Sequence, residues 1–193
     1  MIPFNILGKV FSTFGHFIYP KSVSEALCTF LEPLAKDAKV LDVGAGTGLL
    51  CEFAYACRDD LVYVALDPYE GMLKYAKDFV ETKIGTAEDL PFEDSSFDVL
   101  MMGETLHHFK DVELALSEVI RVLKPEGKLF IYDFDLSTFR GKSICKVEKL
   151  LGEPGNFFDP EVLKEKLQGY GFTVEVTSHS WRYTLCATLT KDN

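Results

Sequence analysis

Apolar residues recur along the chain at two different periods, and the alternation between them organises it. Over residues 1–20, Phe4, Leu7, Phe11, Phe14 and Ile18 fall three or four apart, the spacing of an amphipathic helix. Residues 22–35 repeat that spacing, with Ser22 placed as an N-cap and Glu25 three positions later to close a capping box. Short apolar runs then predict strands at 39–43, 61–66, 82–84, 97–102 and 128–132. Helical spacing fills the intervals 48–57, 69–80 and 112–123, and Pro125 to Gly127 makes a turn. Met72, Leu73, Ala76, Phe79 and Val80 mark the apolar face of the second of these helices. The tail predicts a helix at 160–168 after Pro160, then strands at 172–177 and 181–190 joined around residues 178–180.

Strands alternating with helices of this length specify an α/β fold with a mostly parallel sheet covered by helices on both faces. The closing hairpin adds one antiparallel strand. No linker, internal repeat or low-complexity tract interrupts the 193 residues, so a single domain is expected.

Composition narrows the chemistry. With 47% apolar and 26% charged residues the chain can build a core, which excludes a disordered protein. Thirty acids against twenty bases give a net charge of −10, which counts against a protein that coats nucleic acid. The five cysteines (Cys28, Cys51, Cys57, Cys145 and Cys186) are odd in number and form no CxxC pair. They read as reduced thiols and so as a cytoplasmic protein. No signal-peptide layout and no apolar run of membrane-spanning length occurs, so no membrane association is expected.

The most informative stretch is VLDVGAGTG, residues 40–48, a glycine loop between the first strong strand and a helix. In such sheets ligands bind beyond the carboxyl ends of strands, where strand order reverses. Asp67 ends the second strand, where a carboxylate would grip ribose hydroxyls. The loop departs from a dinucleotide fingerprint, because the third small position holds Leu49. Asp42 at its mouth would repel a pyrophosphate and welcome an ammonium or sulfonium. No GK[ST] follows, which excludes a P-loop.

Together these motifs resemble the class I S-adenosylmethionine-dependent methyltransferases, and among them the small-molecule type that includes quinone-biosynthesis C-methyltransferases. The resemblance covers about residues 38–135. It rests on residues 40–48, on LDPYEGM at 66–72, on GTAEDLPF at 85–92 with SFD at 96–98, on LHH at 106–108 and on RVLKPEG at 121–127. It implies a Rossmann-like seven-stranded sheet with an antiparallel last strand, and S-adenosylmethionine as cofactor. It divides the chain into an N-terminal helical cap (1–35), a cofactor core (38–135) and an acceptor-side loop, helix and hairpin (136–193).

Carried over residue by residue, Gly44, Gly46 and Thr47 would line the methionine part, and Asp42 would anchor the loop or the amino group. Asp67 would accept both ribose hydroxyls, with Pro68 and Met72 flanking the adenine. Thr86 and Ala87 would meet the adenine edge, Thr86 standing where many relatives carry Asp or Asn. Gly103 would lie beside the methionine moiety. The implied reaction is transfer of a methyl group to a small-molecule acceptor, for which Glu104, His107 and His108 are the nominees as proton acceptors. Each histidine also reads as a structural one, and adjacent residues do not share a helical face, so no metal is expected. Tyr19 could reach the site, and residues 133–155 read as an insert around the acceptor mouth. Lys146, Glu148, Lys149, Lys164 and Glu165 read as a solvated face. A nicotinamide-dependent oxidoreductase and a non-catalytic cofactor-binding module are the rival functions.

Overall fold

The computed structural model describes residues 19–190, so the helix expected within residues 1–18 lies outside it. The run Lys39–Val43 forms β1, and only its first residue is exposed. Val62–Asp67 forms β2, Val80–Ile84 β3 and Phe97–Gly103 β4. Leu123–Phe134 forms β5, Phe172–His179 β6 and Arg182–Leu189 β7. They make one seven-stranded sheet in the order β3-β2-β1-β4-β5-β7-β6. β1 to β5 pair in parallel, and β7 runs antiparallel to both β5 and β6. The predicted turn at 125–127 survives as an excursion within β5, where the register against β4 shifts and Glu126 adopts φ 63°.

Helices cover both faces. On one side lie α1 (Lys21–Leu31) and α2 (Leu49–Cys57), which bury Val23, Leu27, Leu31, Leu50 and Ala54 against Val40, Tyr63 and Met101. The opposite side carries α4 (Val112–Val122) and α6 (Pro160–Gly169), which bury Leu116, Val119, Leu163 and Leu167 against Leu41, Leu100 and Ile131. Both of these have side-chain caps: Asp111 accepts from the Leu114 amide and Asp159 from the Glu161 amide. A short α3 (Glu70–Leu73) follows β2. A further helix, α5 (Phe139–Leu150), occupies the segment after β5, where Thr138 caps it through the Gly141 amide.

Four expectations are corrected. The helix expected from residue 22 starts at Lys21, with Pro20 in extended geometry at its N-cap and no side-chain cap. Ser22 turns its hydroxyl to within 3.3 Å of His179, and Glu25 pairs with Lys21 at 3.0 Å instead of closing a capping box. The helix predicted over 69–80 stops after one turn. Its apolar spacing is real, but Val80 is claimed by Tyr63 in the β2–β3 register, and Phe79 stacks on Tyr55 with ring centroids 3.8 Å apart. Cys28 and Cys57 form a disulfide between α1 and the end of α2, leaving Cys51, Cys145 and Cys186 free. Packing of the two helices brings those Cα atoms to 5.2 Å, a proximity no local spacing reveals. The inference from thiols to a reducing compartment thereby loses its premise. Finally, 133–155 is largely helical and not an open loop. Among the described residues no helix is long and apolar enough to cross a membrane.

Candidate functional site

Strand order reverses at β1, whose neighbours β2 and β4 are both reached by crossovers, so a crevice opens beyond the carboxyl ends of β1 and β4. The glycine loop leaves β1 there. Gly44 has φ 70°, and a Cβ on it would lie 1.9 Å from Thr105 Oγ1. Only glycine therefore lets the loop pass the segment that follows β4. The Gly44 and Ala45 amides both donate to the Leu66 carbonyl, at 2.8 and 3.0 Å. These bonds tie the loop to the end of β2.

Asp67, at that end, is 6% exposed. Its Oδ2 accepts from the Gly46 amide and its Oδ1 from the Tyr69 amide, both at 2.8 Å. Burial raises its pKa, and these two bonds partly offset the rise. A carboxylate offers about four acceptor sites, so two remain for a ligand. Asp42 is more deeply buried, accepts from the Cys51 thiol at 3.5 Å and from the Cys51 backbone, and is pushed by burial up to about 7.

At the end of β4, Gly103 is roofed by Tyr19: a Cβ there would come within 2.0 Å of the phenol oxygen. Glu104 follows with φ 51° and ion-pairs with Arg182, whose guanidinium lies 3.8 Å from the Trp181 ring centroid. Burial pushes the Glu104 carboxyl up to about 7; Arg182 opposes the rise and Asp133 adds to it.

His107 and His108 sit on a 3₁₀ turn, Leu106–His108. His107 is 1% exposed, stacks on Phe157 at 4.5 Å, and holds Nδ1 2.6 Å from Asp133 Oδ1. Its Nε2 lies 3.6 Å from Glu148 Oε2. Burial opposes its charged form, yet Asp133 and Glu148 outweigh burial and push the imidazole up to about 10. For His108, burial and then the neighbouring His107 depress the pKa. The tight turn, unlike an α-helix, brings the two adjacent rings to 4.1 Å.

One cavity of about 570 Å³ connects all of this. Asp42, Gly44, Gly46, Thr47, Asp67, Pro68, Met72, Thr86, Ala87 and Gly103 line it, and so do Glu104, His107 and His108. Tyr19, Lys110, Phe134, Glu148 and Glu153 are also in its wall.

Comparison with known proteins gives the same reading. The family model described as a methyltransferase domain matches residues 41–131. An uncharacterized methyltransferase of Schizosaccharomyces pombe is 34% identical over 161 residues, covering 80% of this chain and 62% of that protein. A demethylmenaquinone methyltransferase of Renibacterium salmoninarum is 43% identical over 108 residues, covering 52% and 43%. The chain thus spans less than two thirds of the length of either relative. A crystal structure of an S-adenosylmethionine-dependent methyltransferase from Aquifex aeolicus superposes with a TM-score of 0.70 at 22% identity, over 93% of this chain and 98% of that one. The chain carries, over residues 41–131, a methyltransferase domain of the class I S-adenosylmethionine-dependent type.

The methyltransferase site fits the family's cofactor. Asp67 keeps two acceptor sites for a pair of hydroxyls, and the Gly44 turn holds open a cradle that a Cβ would fill. Buried Asp42 lacks a cationic partner among the described residues. A sulfonium bearing an ammonium group supplies one.

On the acceptor side, sequence reasoning missed Asp133, Glu153 and Arg182, and assigned Glu148 to solvent. Lys146, Lys149 and Glu165 are exposed as expected, and Lys164 is half-buried. Glu148 instead turns inward at 13% side-chain exposure. The available signal was helical spacing, since Gly141 and Cys145 are the buried residues of α5 and Glu148 follows on that face.

Proposed function

We propose that this protein transfers a methyl group from S-adenosylmethionine to a small-molecule acceptor by in-line displacement at the methyl carbon. The observation that carries this reading is the single cavity joining the complete cofactor motif set to a polar, partly aromatic far end. When bound, the cofactor supplies a methyl group already activated on sulfur, so no protein nucleophile is needed.

The chain's own residues bind and align. Asp67 accepts the ribose hydroxyls at its two remaining sites, and Asp42 faces the amino group through water. The backbone of Gly44, Gly46 and Thr47 follows the methionine portion beside Gly103. Pro68 and Met72 flank the adenine, and Thr86 and Ala87 meet its edge. Holding the reacting atoms in line contributes on the order of 7–11 kcal/mol of the barrier reduction. A carbon or oxygen acceptor must also lose a proton. Glu104 is the receiving group, because it follows Gly103 directly and Arg182 fixes its carboxyl. His107 and His108 line the far end, where Asp133 orients His107.

A small acceptor rather than nucleic acid agrees with the cavity volume of about 570 Å³ and with a lining in which carboxylates outnumber the cations Lys110 and His107. The family match ends at residue 131, before Asp133 and α5, so the relatives' acceptors do not transfer. The test is incubation with methyl-labelled S-adenosylmethionine and a small-metabolite extract, read by mass spectrometry. A labelled small product is expected. Cofactor binding with no labelled product from any fraction would overturn the reading in favour of a binding module.

A further inference from the structure

We propose that His107, His108 and Glu148 form a binding site for one divalent transition-metal ion, with its open positions facing the acceptor end of the cavity. The role given to the ion, holding an oxygen of the acceptor, rests on the proposed methyl transfer; the site itself does not.

The geometry is that of a site assembled from two parts of the chain, the turn after β4 and α5. One ligand atom from each residue lies within 4.8 Å of the other two. Metal bonds of about 2.0–2.2 Å set neighbouring ligands roughly 3–4 Å apart, so small side-chain rotations close the set. The donors are two imidazoles and a carboxylate, a combination suited to zinc, manganese or iron(II) and poorly suited to calcium.

Three observations point to a cation. Asp133 holds His107 Nδ1 at 2.6 Å and thereby aims Nε2 at Glu148, the outer carboxylate arrangement that orients metal-bound histidines. His107 is 1% exposed, and its Nε2 stops 3.6 Å short of Glu148 Oε2, beyond hydrogen-bond range. Glu148 Oε2 is itself buried with no hydrogen bond among the described residues. A carboxylate oxygen in that position needs a cation against it, and either a protonated His107 at 3.6 Å or a metal ion held between the two supplies that charge. Glu153 adds a second carboxylate 3.6 Å from His108 Nδ1, so that two acids balance a doubly charged ion.

Three protein ligands leave coordination positions open, as in catalytic rather than structural sites. Because His107, His108, Glu148 and Glu153 all line the cavity, those positions open into it. An acceptor hydroxyl, enol or carboxylate bound there would be polarised, and its proton would leave more readily to Glu104.

The test uses tag-free full-length protein stripped with a chelator and titrated with cobalt(II), followed by its visible d–d absorption, with zinc(II) as competitor. One equivalent per chain is expected, displaced by zinc. Glu148→Gln and His108→Gln should each weaken cobalt binding at least about 100-fold. Both variants should still melt in one cooperative transition without metal and bind S-adenosylhomocysteine within threefold of wild type, which excludes misfolding. Absence of d–d bands at millimolar cobalt, or wild-type binding in Glu148→Gln, overturns the site. S-adenosylhomocysteine calorimetry and label transfer report separately on the methyltransferase reading, so either proposal can fail while the other stands.

Discussion

Replacing Asp67 by Asn removes one charge and almost no volume, which makes it the sharpest probe of the ribose assignment. In the folded chain both carboxylate oxygens already receive backbone amides, from Gly46 and Tyr69, each at 2.8 Å. An asparagine keeps one acceptor oxygen and turns an NH₂ group toward one of those two amides, so a donor faces a donor. That mismatch costs about 1–3 kcal/mol of stability, and roughly 2–4 °C of melting temperature follows each kcal/mol in a chain of this size. The ligand loses more. Hydrogen bonds to a charged group are worth about 1.5–3 kcal/mol each. The variant forfeits one ribose bond and weakens the other from charged to neutral, a total of about 2–4 kcal/mol. At 1.4 kcal/mol per decade the dissociation constant for S-adenosylhomocysteine rises roughly 30- to 700-fold. Isothermal titration calorimetry measures this, with a thermal melt on the same sample to show that it is folded. A folded Asp67→Asn protein that binds within threefold of wild type would refute the ribose role.

Gly44→Ala adds a Cβ 1.9 Å from Thr105 Oγ1 at a backbone φ of 70°. Left-handed geometry alone costs roughly 1–2 kcal/mol, and the clash adds to it; the melt should fall by several degrees and cofactor affinity with it. Adding Thr105→Ala should recover part of the loss, whereas no recovery would mean that the clash is not its source. Asp42 gives a pH test. Its folded pKa of about 7 exceeds the ordinary carboxylate value of 3.8, so the native state holds this proton longer than the unfolded chain does. Its contribution to stability is therefore greatest at low pH and declines between about pH 4 and 7. Among the described residues the Cys51 thiol, Asp67 and the Tyr19 phenol are titratable groups that act on it. A cationic ligand favours the carboxylate, so binding of S-adenosylmethionine at pH 6 should release close to one proton, read by calorimetry in buffers of different ionisation enthalpy. Glu104 titrates in the same range, so the release should be reduced, not abolished, in Asp42→Asn. Equal proton release in wild type and Asp42→Asn would show that Asp42 carries no proton there.

The cofactor half was legible because its signals are local. A run of buried strand residues, a glycine turn and a carboxylate at the next strand's end each follow from neighbours in sequence, and β1, the loop and Asp67 stand where those signals place them. Periodicity misled where a strand pairing competed for the same residues, as at Val80, whose helical spacing lost to the β2–β3 register. It also missed α5, whose scattered apolar positions give a weak face and whose buried residues are only Gly141 and Cys145.

Sequence by itself determined the α/β alternation and the position of the glycine loop and Asp67 at the crevice, because backbone geometry and a few short-range spacings dictate them. Tertiary structure alone decided that Cys28 meets Cys57, that Arg182 meets Glu104, and that His107 is gripped between Asp133 and Glu148. Those contacts join residues far apart in the chain, and nothing in the local pattern around either partner encodes the other. What encodes them is the strand order, which sets the end of β5, the start of β7 and the inner face of α5 around the turn that follows β4.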